Sequence, residues 1–269
     1  MTLEPSTVPA LFRGLCDDAA LFPPGNASLE LAVPQHIDYT SSAYAELVGT
    51  FVFPAPRLGE LDPPQTPIRM SLTFPGGPDT VKSALDSATS IDNVTVVAIE
   101  VPIADSAEIE ALAGIDPSID IYIEIPRGAR RAEVFDVVDE HGYRAKFRTG
   151  GIVSEAYPSA NELARAIHEA ARREIDFKAT AGLHHAIRNT NHDNGFEQHG
   201  YLNVMLAAQA ARAGAGVYEL ESILQIREAE TVAAAVSAID GARAFGSFGT
   251  CSIREPLDDL IALGLIDTM

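Results

Sequence analysis

The 269 residues carry 38 acidic and 19 basic side chains, a formal net charge of −19, and 46% of them are hydrophobic. Such a field repels phosphate backbones and anionic lipid, which argues against nucleic-acid and membrane partners but leaves room for a locally basic pocket holding a small anion. Two cysteines far apart, Cys16 and Cys251, support neither a disulfide scaffold nor a zinc ribbon. The start MTLEPSTVPALF has no basic-then-apolar leader, and no apolar run approaches ~18 residues. The reading is a cytoplasmic acidic protein with free thiols.

The length suits one domain over 1–269, with a lead-in over 1–45 that includes LFPPG and covers part of the fold. Beyond it, short β-branched strands alternate with helical stretches. Strands are predicted at LVGTFVFPA (47–55), IRMSLTF (68–74), NVTVVAIEVP (93–102), IDIYIEIP (119–126), YRAKFRTGG (143–151), DFKATAG (176–182) and ARAFGSFGTCSI (242–253). Helices are predicted at 79–90, 106–114, 130–142, 159–174, 201–215, 219–238 and 255–266; the fourth opens on a capping box, Ser159 with Glu162. Seven strands are clear, and an eighth is expected near 217–226. Repeated βα units imply a parallel sheet with right-handed crossovers, and the predicted fold is a (β/α)8 TIM-like barrel, possibly with one degenerate βα unit. No GxGxxG or P-loop glycine pattern favours the open doubly wound alternative.

Strand side chains alternate faces, and helices outside a barrel claim the apolar face. Glu100 then opposes Ile99 and Val101, and Tyr122 with Glu124 opposes the isoleucines. Lys146 with Arg148 opposes Ala145 and Phe147, and Lys178 with Thr180 opposes Phe177 and Ala179. These polar sets fall late in their strands, at the rim where barrel enzymes build their sites. Buried charges must be paired or serve a ligand, so the alternatives are a site and a structural ion network. Asp17 and Asp18 either reach the mouth or cap a helix.

The loop LHHAIRNTNHDNGFEQHG (183–200) carries four of the seven histidines, His184 and His185 among them. No HExxH or CxxC spacing is present, so a divalent metal shared by Glu100, Glu124 and His184 is an alternative, and the first reading requires no cofactor. AFGSFGTCS (244–252) has the glycine-and-hydroxyl character of an anion cradle through Ser247, Gly249 and Thr250, or of a tight turn. Cys251 has no histidine beside it in sequence.

DDAALFPPG (17–25), KFRTGG (146–151), FKATAGLHH (177–185), HGYLN (199–203) and GSFGTCSIREPLDDLIALG (246–264) together resemble an uncharacterised bacterial family treated as barrel proteins. These blocks span nearly the whole chain, and the resemblance implies an intact domain without implying a reaction. A looser likeness, carried by Lys178 and Lys146 alone, is to Schiff-base aldolases of the deoxyribose-phosphate aldolase and transaldolase kind. The leading expectation is an aldolase-like lyase acting on a small anionic carbonyl metabolite. Lys178 would be the Schiff-base amine, its pKa lowered by Lys146, Arg148 and burial. Glu124 or His184 would move protons, and Arg148, Thr149, Thr180, His185 and the 247–250 turn would hold a carboxylate or phosphate. The alternatives are a metal-dependent lyase or isomerase and a non-catalytic metabolite-binding barrel. An alanine-rich helix over 206–215 could serve a homo-oligomer interface.

Overall fold

A computed structural model describes residues 8–267. Its eight parallel barrel strands are β1 (Cys16–Asp18), β2 (Val48–Pro54), β3 (Ile68–Thr73), β4 (Val94–Pro102), β5 (Asp120–Glu124), β6 (Arg144–Arg148), β7 (Phe177–Thr180) and β10 (Phe248–Thr250). They close in the order β1-β10-β7-β6-β5-β4-β3-β2, a TIM-like α/β barrel. A small antiparallel hairpin, β8 (Asn189–Thr190) with β9 (Glu197–Gln198), stands apart in the loop after β7. No helix among the described residues is long and apolar enough to cross a membrane.

The eighth strand lies where the sequence reading placed only a cover. Cys16–Asp18 pairs with both β10 and β2 and closes the barrel from within the 1–45 segment. Three residues are too short for a visible alternation, and two are aspartates, so the strand has no periodic signature. The stretch expected to hide a strand, 217–226, is helical: α6 spans Val217–Gln225 and α7 spans Ala229–Ser237. The single helix expected over 219–238 breaks between them because buried Asn203 donates to the carbonyls of Ile223 and Ile226 at 3.0 and 2.9 Å, satisfying the last turn of α6 in place of further helix.

Helix α1 (Leu29–Thr40) follows β1, α2 (Val81–Thr89) precedes β4, and α3 (Arg131–Glu140) leads into β6. The segment expected as a helix over 106–114 winds as a 3-10 helix, Ser106–Leu112, with Asp105 accepting from the Ala107 amide. Helix α4 (Ala160–Arg172) opens on the capping box read from the sequence: Ser159 accepts from the Glu162 amide and Glu162 from the Ser159 amide. In α5 (Tyr201–Arg212), Ala207, Ala208 and Ala211 are buried in the core. The alanine-rich segment therefore spends these small side chains on internal packing, not on an exposed interface. Helix α8 (Arg254–Ala262) closes the circuit.

The apolar face of the strands packs outward on the helices, as parity requires. Phe147 and Phe177 of neighbouring strands pack with their rings tilted at 4.7 Å between centres, and Phe135 of α3 meets Phe147 edge-on at 6.2 Å. The opposite faces of the same strands turn to the barrel axis.

Candidate active site

Six charged side chains form one alternating chain across the axis. Lys178 Nζ lies 2.6 Å from Asp17 Oδ2 and 2.7 Å from Glu100 Oε1. Lys146 Nζ bridges Glu100 Oε2 and Glu124 Oε2 at 3.1 Å each, and Arg148 Nε meets Glu124 Oε1 at 3.2 Å. Three carboxylates thus face three cations. The side chains of Glu100 and Lys178 are 1% and 2% exposed, that of Glu124 22% and that of Arg148 48%. The chain therefore runs from a sealed interior to the C-terminal rim.

Register explains the meeting. Lys146 and Lys178 are direct partners across β6 and β7, and Glu124 partners Lys146 across β5 and β6. Asp17 enters from β1, where Thr50 donates to Oδ1 from both its amide (2.8 Å) and its hydroxyl (2.9 Å), and Ser247 donates to Oδ2 at 2.6 Å. Gly49 makes room for it: a β-carbon there would sit 2.3 Å from Asp17 Oδ1. Ser71 donates to Glu100 Oε1 at 2.9 Å. Thr73, two residues on and so on the same face as Ser71, keeps a buried hydroxyl without a partner. The Lys178 ammonium also stands 5.3 Å from the Tyr122 ring centre, within cation–π range.

These surroundings reverse one expectation. Burial does work against the charge of Lys178, but Asp17 and Glu100 outweigh it, and the ammonium is held well above the ordinary lysine range. The expected depression by Lys146 and Arg148 fails because Lys178 contacts carboxylates, with Arg148 out at the rim. Glu100 mirrors this: burial opposes its ionisation, yet Lys178 and Lys146 bring its carboxyl down to about 2. Glu124 is lowered too, against burial, by Lys146 and Arg148. Burial pushes the Tyr122 phenol up to about 12, which keeps it neutral.

The remaining expected site residues divide. Thr180 ends β7 at the rim, in register with Arg148 and Gly249. Thr149 is buried and donates to the Ala181 carbonyl at 2.6 Å, tying two rim turns together. Those turns touch through Gly150 and Gly182; a β-carbon on Gly150 would lie 2.7 Å from the Gly182 α-carbon. The glycines of KFRTGG and FKATAG therefore serve close packing. In the 247–250 turn both hydroxyls are engaged within the protein: Ser247 donates to Asp17 and Thr250 donates to the Ser252 carbonyl at 2.9 Å.

His185 pairs with Asp259 of α8 at 3.3 Å. His184 turns to Glu255 at 3.3 Å and to Cys251 at 3.7 Å, so the histidine that the sequence did not offer to Cys251 comes from the loop after β7. The set Glu100, Glu124 and His184 is not assembled: Lys146 bridges the two carboxylates, and no group of three or more His, Cys, Asp or Glu is placed to hold a metal ion among the described residues. Asp18 pairs with buried His36 at 3.0 Å and anchors α1 to β1.

At the opposite, N-terminal face a cavity of about 700 Å³ is bounded by Tyr122, Arg144, Asp176, Phe177 and Gly246, among others. Arg144 there is already paired with Asp120 and Asp176. Arg243, also at its edge, is spent on the backbone carbonyls of Leu11 and Arg13.

The rest of the 183–200 loop is pinned by Arg188, which donates to Glu197 at 3.0 Å and contacts His199 Nδ1 at 3.2 Å, while His199 Nε2 meets the Pro158 carbonyl at 2.9 Å. Burial pushes His199 down to about 4; the Pro158 carbonyl works against that shift and Arg188 adds to it. A neutral ring, donating from Nε2 and accepting at Nδ1, satisfies both contacts. Because the folded value lies below the unfolded one, the unfolded chain binds the extra proton first, and stability falls as pH drops from about 6.5 towards 4. Wild type should lose on the order of 2 kcal/mol more than His199→Gln across that interval, read from urea unfolding at pH 7 and pH 4. Equal losses in the two proteins would remove this account of the loop.

No protein-family model matches the sequence, and no curated protein is significantly similar to it.

Proposed function

We propose that the barrel is an aldolase-like lyase for a small carbonyl metabolite bearing a carboxylate or phosphate, with Lys146 as the Schiff-base amine and Lys178 as a fixed ammonium beside it. The observation that carries this reading is the unequal holding of two adjacent lysines. A Schiff base needs an unprotonated amine. Lys178, clamped at 2.6 and 2.7 Å by two buried carboxylates, is removed from that role. Lys146 has longer contacts, 3.1 Å each, and one of its partners, Glu124, is the partly exposed group next to the rim.

In this reading Lys146 Nζ attacks the substrate carbonyl carbon, and the carbinolamine oxygen leaves as water to give an iminium. The iminium then accepts the electron pair of the breaking carbon–carbon bond. Glu124, an ionised carboxylate against Lys146, takes the proton from the substrate hydroxyl as that bond breaks. Arg148 presents the rest of its exposed guanidinium to the substrate anion, and the unpartnered Thr73 hydroxyl is a further donor on the barrel-facing side. Lys178 supplies positive potential below the site.

The deep burial of Asp17, Lys178 and Glu100 favours a second reading, an ion network whose work is to close the barrel. Borohydride trapping separates the two. With a panel of small aldehydes, keto acids and their phosphates, the lyase reading expects a reduced adduct whose peptide maps to Lys146. Folded protein that yields no adduct with any member leaves the structural network standing and removes the lyase.

A further inference from the structure

The chemistry assigned to the barrel axis uses neither Cys251 nor His184, yet the fold brings them together at the same rim. Cys251 directly follows β10 and lies three residues before the first turn of α8. Its sulfur is 3.7 Å from His184 Nδ1, and the same nitrogen is 3.3 Å from Glu255 Oε2. One ring nitrogen of His184 therefore reaches both a sulfur and a carboxylate. The hydrogen bonds to Cys251 and then to Glu255 hold His184 up at about 9, against burial.

His184 and then His185 lower the Glu255 carboxyl, while His185 itself pairs with Asp259 and Arg254 with Asp258 on the same helix. The other cysteine is the opposite case. Cys16 is fully buried in the barrel wall beside Asp17, and burial first, then that carboxylate, pushes its thiol well up.

We propose that Cys251 and His184 form a thiolate–imidazolium pair, and that this pair makes Cys251 a peroxide-reactive modification site separate from the lysine chemistry. The thiolate sulfur attacks one peroxide oxygen, the S–O bond forms and the O–O bond breaks. Sulfur is oxidised by two electrons to a sulfenic acid, and the departing hydroxide takes the proton of His184 to leave as water. Size favours a small oxidant. The turn at Gly25 lies so close that a β-carbon there would be 3.0 Å from the Cys251 β-carbon, which leaves the sulfur partly covered. Cys16 lies within the barrel wall, so the oxidised state is reversed by an external reductant.

The test is dimedone labelling of folded protein in dilute hydrogen peroxide at pH 6.5, with peptide mapping. Wild type should label at Cys251 and not at Cys16, and reductant should restore the thiol before labelling. His184→Gln should slow the reaction about tenfold or more, Glu255→Gln should slow it less, and Cys251→Ser should remove it. Circular dichroism checks that each variant folds. A folded His184→Gln protein that reacts as fast as wild type overturns the pair. So does a Cys251 that labels only after denaturation.

Discussion

Lys178→Met should cost about 3–5 kcal/mol of folding stability at neutral pH, and Lys146→Met only roughly 1–2 kcal/mol, although both remove a buried cation. The difference follows from what each leaves behind. Without Lys178, Asp17 keeps Thr50 and Ser247 but has no cation in contact, in a site closed to water. Without Lys146, Glu100 still has Lys178 and Glu124 still has Arg148. Urea unfolding of the two variants measures the gap. Adding Asp17→Asn to Lys178→Met should recover part of the loss, since the pair is then removed together. Equal costs for the two lysines would mean that the contacts do not set the energetics.

The same network fixes a pH window. Glu100 has a folded value near 2, below its ordinary value of about 4.3, so its contribution is complete above that value and drains as pH falls towards 2. Lys178 is raised in the fold, so its contribution is complete below about 10.4 and is lost only as pH climbs beyond it. Between those limits the network is at full strength.

The second large effect is catalytic. Once a substrate is in hand, Lys146→Met should lower kcat/KM by roughly a thousandfold or more while leaving a folded barrel, because in the proposed reaction it deletes the nucleophile and not merely a contact. Glu124→Gln, which keeps the shape and removes the base, should lower kcat by about a hundredfold with KM less affected. Arg148→Met should act mainly on KM. Turnover retained in Lys146→Met would move the chemistry elsewhere.

Much of this was legible in the sequence, because period-two alternation is a direct statement about direction. The faces of IDIYIEIP, YRAKFRTG and DFKATAG placed Glu124, Lys146, Arg148 and Lys178 on one side, and the capping box at Ser159 fixed the start of α4. IRMSLTF carried the same signal in Ser71, whose hydroxyl holds Glu100, but a lone serine among apolar residues draws little notice. Thr50 was harder, because its face in LVGTFVF also carries Val48 and Val52. Asp17 could not be assigned. A three-residue strand has no pattern of its own, and only closure of the barrel brings Asp17 to Lys178, 161 positions later. The pKa of Lys178 was misjudged for the same reason: with Asp17 unassigned, the nearest visible charges were cationic. The meeting of His184 with Cys251 depends on how a loop folds over the rim, and no strand or helix period encodes that.

Lys178 is held as an ammonium between Asp17 and Glu100, and the proposed chemistry therefore falls to Lys146. Carbon-13 labelling of the lysine side chains, with the ε-carbon resonance of Lys178 assigned through Lys178→Arg, follows that charge directly through a pH titration of the folded protein. This locked ammonium should keep the Lys178 resonance at its charged position after ordinary lysines have titrated near pH 10.4. A Lys178 signal that moves to the neutral-amine position at or below that pH would contradict it.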